Sequence, residues 1–175
     1  MRKTLLDSLL HRPFTERPAA PEDAELARMA RTLDERARRQ LGRSLSLRLV
    51  DAGSCNGCEL ELNAIGNPYY DLERFGLRFV ASPRHADVLL VTGPITRNMR
   101  EALLRTHAAM PAPKWVVAAG DCAAGCGVFA RSPACVGSVA AVIPVDVRVT
   151  GCPPPPVRLL QGLLALLTPP PGYRR

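Results

Sequence analysis

The stretch Asp87-Val88-Leu89-Leu90-Val91-Thr92 constrains the fold of this chain more than any other. Its four consecutive apolar residues leave no polar face. A run this short, ended by Gly93-Pro94, reads as a strand buried on both sides. Strands of that kind belong to parallel sheets covered by helices on both faces. A parallel sheet also needs long crossover connections, and the flanking sequence supplies them. Residues 45–50 read as a strand, followed by a helix over about 59–65 that Gly66-Asn67-Pro68 closes. A second helical piece runs from Tyr69 to Gly76, and 77–80 is a short strand. Beyond Gly93-Pro94 come a helix over 97–109, a strand at 114–119 and an irregular glycine- and alanine-rich stretch over 123–142. A strand at 145–149 and, after four prolines, a helix at 157–167 complete the pattern. The alternation predicts a three-layer α/β fold with a mainly parallel sheet and no internal repeat.

Residues 1–43 differ in character and are expected to form an N-terminal helical arm and linker, ahead of a main domain over 44–168 and a loose tail over 169–175. Leu5, Leu6, Leu9 and Leu10 give residues 1–12 one apolar side, and prolines punctuate 13–21. Residues 22–41 read as a helix: Glu22, Asp23 and Glu25 suit its start, and arginines crowd its later turns. The stripe Leu26, Met29, Ala30, Leu33 and Ala37 predicts packing on another subunit or along the side of the domain, against the plainer reading of a solvated helix. A length of 175 residues suits one domain with an extension. The 47% hydrophobic content with only 5% aromatics predicts an aliphatic core.

The formal charge of +7 is spread out: residues 1–48 carry 11 of the 23 basic and 7 of the 16 acidic side chains. No basic patch is interleaved with aromatics, so no nucleic-acid partner is expected. A basic face docking on an acidic partner or an anionic membrane surface fits better. Met1-Arg2-Lys3 leads into a short mixed segment interrupted by Asp7, His11 and Arg12, which matches neither a secretory signal nor a twin-arginine leader. The chain is therefore expected in the cytoplasm, where clustered cysteines bind metal or do redox work more often than they form disulfides. The most apolar run, 157–167, is broken by Arg158 and Gln161 and falls short of the roughly 18–20 residues a membrane-spanning helix needs. Any membrane association is expected to be peripheral.

Four of the six cysteines lie in turns that follow strands. Cys55 and Cys58 sit in Asp51-Ala52-Gly53-Ser54-Cys55-Asn56-Gly57-Cys58-Glu59, Cys122 in Gly120-Asp121-Cys122, and Cys152 in Thr150-Gly151-Cys152. Open parallel sheets bind ligands outside the carboxyl ends of their strands, so these turns are expected to meet. Four thiolates suit zinc or an iron–sulfur cluster. A zinc-stapled interaction module built on Cys55, Cys58, Cys122 and Cys126 stays open at this point. The glycines beside the cysteines (Gly53, Gly57, Gly120, Gly125, Gly151) let backbone N–H groups approach the sulfurs, which favours a cluster. Helix N-termini after Cys58 and after Pro153–Pro156 add positive potential there. A flavin or dinucleotide site is disfavoured, because no G-x-G-x-x-G opens a helix after the first strand.

The run 51–59, the segment Pro83-Arg84-His85-Ala86-Asp87-Val88-Leu89-Leu90-Val91-Thr92-Gly93-Pro94, Gly120-Asp121-Cys122 and residues 144–156 resemble the small subunit of membrane-bound, energy-converting nickel–iron hydrogenases of the formate hydrogenlyase type. The 20 kDa cluster subunit of respiratory complex I is a sister of that group. The resemblance covers about residues 44–168. It implies a flavodoxin-like domain carrying one 4Fe–4S cluster on Cys55, Cys58, Cys122 and Cys152, with no complete active site in this chain. It also implies a relay of electrons between a ferredoxin-like 4Fe–4S subunit and a nickel–iron large subunit. The complex would sit on the cytoplasmic side of the inner membrane, with antiporter-like subunits embedded in it. The complex I version has adjacent cysteines at the first pair, so Cys-x-x-Cys favours the hydrogenase side over a quinone-reducing partner. Relatives carry glycine-rich sequence after the third ligand, whereas here Cys126 intervenes as a possible competitor. The resemblance places Glu59 near the subunit contact as a proton-moving group, against a carboxylate that only complements the helix dipole. Asp121 is read as a turn residue or a neighbour of the cluster. Arg97 faces the cluster or partner and raises the potential, or is a solvated helix-start arginine. Cys135 is expected to be a buried small residue, Trp115 a core residue, and His85 and His107 surface residues.

Overall fold

The computed structural model of the chain describes residues 24–168. The expectations for the first helix, the proline-punctuated linker and the tail over 169–175 lie outside the described residues. The helices are α1 (Ala24–Leu41), α2 (Gly57–Ala64), α3 (Arg97–Ala109), α4 (Asp121–Ala124) and α5 (Pro156–Leu166). The strands are β1 (Leu45–Asp51), β2 (Leu77–Phe79), β3 (Val88–Thr92), β4 (Ile95–Thr96), β5 (Trp115–Ala119), β6 (Cys135–Gly137) and β7 (Val147–Val149). Single 3-10 turns occupy Leu72–Phe75, Pro83–His85 and Val139–Ala141.

Five strands form one sheet in the order β2-β1-β3-β5-β7, every neighbouring pair parallel. This is the flavodoxin-like order, with its topological switch point between β1 and β3. All five residues of β3 and all five of β5 are buried, as a strand covered on both faces requires. Their side chains alternate between two cores. Val88, Leu90, Trp115, Val117 and Ala119 pack with α1, α2 and α5 through Leu33, Leu62 and Leu160. Leu89, Val91, Val116 and Ala118 pack with α3 and α4 through Leu103 and Ala123. The fold is thus a three-layer α/β sandwich with an aliphatic core.

α1 buries Leu26, Ala30, Leu33 and Ala37 in the first core, four of the five residues of the apolar stripe. It runs beside α5: Gln40 Nε2 donates to Leu167 O at 2.8 Å, and the Arg36 guanidinium donates to Thr168 Oγ1. Asp87, read as the first strand residue, instead precedes β3 as a buried carboxylate. It accepts from the Ser46 N–H at 2.9 Å and from both terminal nitrogens of Arg43 at 2.6 and 3.0 Å, pinning the start of β1 beside β3. The stretch over 123–142 holds more order than its composition suggests. β6 pairs antiparallel with the two-residue β4, and the Arg97 N–H donates to Ala134 O at 2.9 Å.

Lys114 closes the C-terminus of α3, with Nζ donating to His107 O at 2.6 Å and to Met110 O at 3.5 Å. His107, expected at the surface, is partly buried, and burial together with the neighbouring Lys114 ammonium holds its pKa below 6.5, with Asp146 opposing weakly. The folded state therefore favours the neutral ring. As pH falls below 6.5 the unfolded chain takes up this proton first, so the stability present above 6.5 is lost as pH falls through the folded pKa. His107→Gln is expected to flatten this part of the acid limb. Thermal midpoints of wild type and variant between about pH 7 and pH 5 check it.

Candidate functional site

Every cysteine-bearing turn lies at the carboxyl end of the sheet. At the exit of β1, Asp51 Oδ1 accepts from the N–H groups of Gly53 and Ser54, each at 2.7 Å, which bends the strand into a tight turn. The β3 exit presses against this turn: a Cβ on Gly93 would lie 2.7 Å from Ser54 N. Asn56 takes a left-handed conformation (φ 69), one that Asn tolerates, and α2 starts at once at Gly57. The helix begins two residues earlier than its sequence suggests, so Cys58 falls in its first turn while Cys55 stands exposed before it.

The β5 and β7 exits are stitched together. The Gly120 N–H donates to Val149 O at 2.8 Å, and the Asp121 N–H to Gly151 O at 2.9 Å. In return the Gly151 N–H donates to Asp121 Oδ1 at 2.8 Å. α4 then carries Cys122 in a single helical turn, and Cys152 follows Gly151 directly.

These turns converge. A Cβ on Gly120 would lie 2.5 Å from Cys58 Sγ and 3.6 Å from Gly151 O. A Cβ on Gly57 would lie 3.6 Å from Cys55 Sγ and 4.0 Å from Pro153 Cβ, and one on Gly127 would run into Cys122 Sγ. The glycines thus form a cradle in which side chains would fill the space of the sulfurs. The Cys58 thiol is pushed up to about 12, first by burial, then by the Glu59 carboxylate and the thiolates of Cys55, Cys122 and Cys152. The Cys122 thiol is also raised, chiefly by burial, with Cys152, Cys55 and Asp121 adding to it. A backbone N–H of Phe129 donates to the Cys122 sulfur and works the other way, favouring thiolate. Four thiols and a carboxylate placed together repel one another once ionised, and a bound metal relieves that repulsion. Among the described residues no three His, Cys, Asp or Glu side chains come together closely enough to hold a single metal ion.

The other predicted residues divide. Cys126 is exposed and turned back on its own loop, its Sγ 3.4 Å from Asp121 O. It is not among the groups whose charge acts on Cys58 or Cys122, whereas Cys152 is. Cys135, expected to be buried, is partly exposed, because β6 pairs only with β4, apart from the main sheet. The Arg97 side chain is exposed at the start of α3, and Trp115 is a core residue. Glu59 is 6% exposed in the first turn of α2. The Ser54 hydroxyl donates to its Oε2 at 2.7 Å, while its Oε1 is buried with no hydrogen-bond partner. Sequence reasoning missed Asp51, Ser54 and Phe129. Asp51 before Gly-Ser carries an Asx-turn signature that could have found it. Phe129 acts through its backbone and has no such signature.

Residues 55–166 match the family model of the NADH ubiquinone oxidoreductase, 20 Kd subunit. The chain belongs to this family. The match begins at Cys55 and so takes in all four convergent cysteines. Within the family, the chain is 47% identical over 127 residues to the probable membrane-bound hydrogenase subunit mbhJ of Pyrococcus furiosus, covering 73% of this chain and 76% of that one. It is 40% identical over 154 residues to formate hydrogenlyase subunit 7 of Escherichia coli, covering 84% of this chain but only 60% of that longer one. Its fold superposes with a TM-score of 0.64 on a chain of the membrane-bound sulfane sulfur reductase, an archaeal respiratory membrane complex. That match has 32% identity and covers 78% of this chain and 73% of the other. The chain is thus a member of the membrane-bound hydrogenase and complex I-like 20 kDa subunit family.

Proposed function

We propose that the chain is the electron-relay subunit of a membrane-bound hydrogenase complex, with Cys55, Cys58, Cys122 and Cys152 holding one 4Fe–4S cluster. The observation that carries the reading is the convergence of three cysteine-bearing strand-exit turns on a set of glycines. When bound, such a cluster supplies one-electron storage and transfer. The donor set fits it: sulfur ligands only, a backbone N–H on Cys122, and no side chain between the sulfurs and the glycines. The Cys126 thiol is turned back on Asp121 O and is not among the groups acting on Cys58 or Cys122, which disfavours the zinc-stapled module.

The chain's own residues prepare a docking face beside the thiols. Leu60, two residues after Cys58, is 61% exposed, and Val128 and Phe129, in the loop that covers Cys122, are 83% and 41% exposed. Apolar groups placed there would exclude water when a partner covers them. The partner assigned to this face is a nickel–iron large subunit, with a ferredoxin-like 4Fe–4S subunit as the other neighbour in the relay and antiporter-like membrane subunits further off. Glu59, next to Cys58, is the candidate for the proton path: Ser54 holds one of its carboxylate oxygens and the other is buried without a hydrogen-bond partner. No helix among the described residues is long and apolar enough to cross a membrane. By likeness to subunits of membrane-bound complexes, the chain would attach peripherally, on the cytoplasmic side, through its complex.

Hydrogenase is favoured by the names of the two relatives and by the Cys-x-x-Cys spacing. The likeness to the sulfane sulfur reductase chain supports a second reading, the same relay in a membrane complex that reduces sulfane sulfur. A complex I-like, quinone-reducing partner is a third. Anaerobic co-purification of the complex with metal and sulfide analysis separates them. The expected result is four irons and four sulfides assigned to this chain, a paramagnetic signal on reduction, and nickel in the large subunit. A colourless protein with stoichiometric zinc would overturn the cluster. Iron without nickel would move the reading to one of the other large subunits.

A further inference from the structure

Asp121 does two things at once in the structure. Its backbone N–H and its carboxylate grip the same residue from both sides, donating to Gly151 O at 2.9 Å and accepting from the Gly151 N–H at 2.8 Å. Asp121 immediately precedes Cys122, and Gly151 immediately precedes Cys152. The paired bonds therefore fix the spacing of two thiols that lie 30 positions apart in the chain. The same residue closes its own turn: its carbonyl accepts from the Cys126 N–H at 2.9 Å and from the Cys126 thiol at 3.4 Å. A turn could be closed by any residue's carbonyl, and Asn would serve for the Gly151 bond. The carboxylate belongs to the residue before Cys122 and bonds the N–H of the residue before Cys152, so its position is fixed beside both turns.

Building on the cluster reading above, we propose that Asp121 is a positioning residue that clamps the Cys122 turn to the Cys152 turn and, by its charge, makes the site harder to reduce. The first half follows from the two opposed hydrogen bonds. The second follows from Coulomb's law: an added electron placed beside a fixed anion is repelled, and a partly buried anion is screened less than an exposed one. The two halves separate cleanly by substitution. Asp121→Asn keeps an oxygen to accept from the Gly151 N–H but removes the charge. Asp121→Ala removes both.

The test uses the full chain, or its complex, purified anaerobically. Iron and sulfide per chain are measured first, followed by a reductive titration with dithionite. Dithionite supplies one electron per site, and redox mediators take it back on reoxidation. Asp121→Asn is expected to keep wild-type iron and to shift its potential upward by severalfold to tenfold in the reduced-to-oxidised ratio, up to about 59 mV for one electron. Asp121→Ala is expected to hold clearly less iron than Asp121→Asn. An unchanged potential in the Asn variant overturns the charge role, and full iron in the Ala variant overturns the clamp. Should the Ala variant fail to fold, the Asn variant still decides the charge role, because a purely structural residue would not move the potential, and Asp121→Ser, which shortens the acceptor's reach to the Gly151 N–H, decides the clamp by its iron content. A wild-type chain without iron would instead defeat the cluster reading itself, whatever the variants do.

Discussion

Serine in place of Cys55, Cys58, Cys122 or Cys152 is expected to strip most of the iron and all of the visible colour from the protein, while serine at Cys126 or Cys135 leaves both intact. The contrast rests on position. Cys55 and Cys152 lie within electrostatic reach of both Cys58 and Cys122, on turns that converge at the carboxyl end of the sheet. Cys126 bonds to its own turn, and Cys135 belongs to the separate β4–β6 pair. Cys58 is the most informative of the set. With its thiol pushed up to about 12 it is neutral in the metal-free protein, so serine there changes little in the folded apo chain. Its loss should register on iron content and far less on folding. Iron and sulfide per chain, set beside thermal unfolding of the metal-free variants, measure both. Apo stabilities within about 1 kcal/mol of wild type would show that the iron loss is a ligand effect. The opposite pattern, with Cys152→Ser keeping its metal and Cys126→Ser losing it, would move the site to the Cys55, Cys58, Cys122 and Cys126 arrangement.

The placement of these cysteines was legible because it depends on a rule of topology and on local turn chemistry. Buried strands such as 88–92 announce a parallel sheet, and a parallel sheet gathers its strand exits at one end. Cys122 and Cys152 could therefore be assigned to one place despite their separation. Groups that act through the backbone were not legible. The Phe129 N–H reaches the Cys122 sulfur only because the loop after α4 folds back over it, and no side chain marks that path. Glu59 shows the same limit in another form. Its place after Cys58 is plain in the sequence, but its burial and its unpartnered oxygen depend on how α2 sits against the Ser54 turn.

The departures in the fold have local causes. α2 starts early because Asn56 adopts the left-handed conformation, which turns an apparent Asn-Gly loop into a helix start. β4 has two residues, too few to show any alternation, so neither it nor its partner β6 could be read, and Cys135 was misplaced with them. β7 begins at Val147, two residues later than its apolar pattern, because Asp146 is used otherwise: its Oδ2 accepts from the Val116 N–H at 2.7 Å. Side chains that replace ladder bonds in this way shorten strands without changing the hydrophobic pattern.

Gly120→Ala is expected to remove the iron as completely as the loss of a ligand, although it leaves all six cysteines in place. Gly120 has φ 96 and ψ 157, a region open essentially to glycine alone. A side chain there costs about 1–3 kcal/mol in backbone strain. Relaxation is restricted, because its N–H is held by Val149 O at 2.8 Å and its carbonyl by the Ala124 N–H at 3.0 Å. The new methyl would lie 2.5 Å from Cys58 Sγ, well inside contact distance. Cys58 could escape only by swinging its sulfur out of the space it shares with Cys122 and Cys152, which abandons the site. Gly137→Ala is the control. Gly137 also has a positive φ, 123, but a Cβ there meets nothing within 4 Å. The control should lose comparable stability and keep its iron. Iron content, read against the thermal midpoints of the two metal-free variants, separates crowding at the sulfur from general strain. Wild-type iron in Gly120→Ala would mean that Cys58 does not need the space beside Gly120. Iron loss in both variants would trace the effect to backbone strain and not to the cradle.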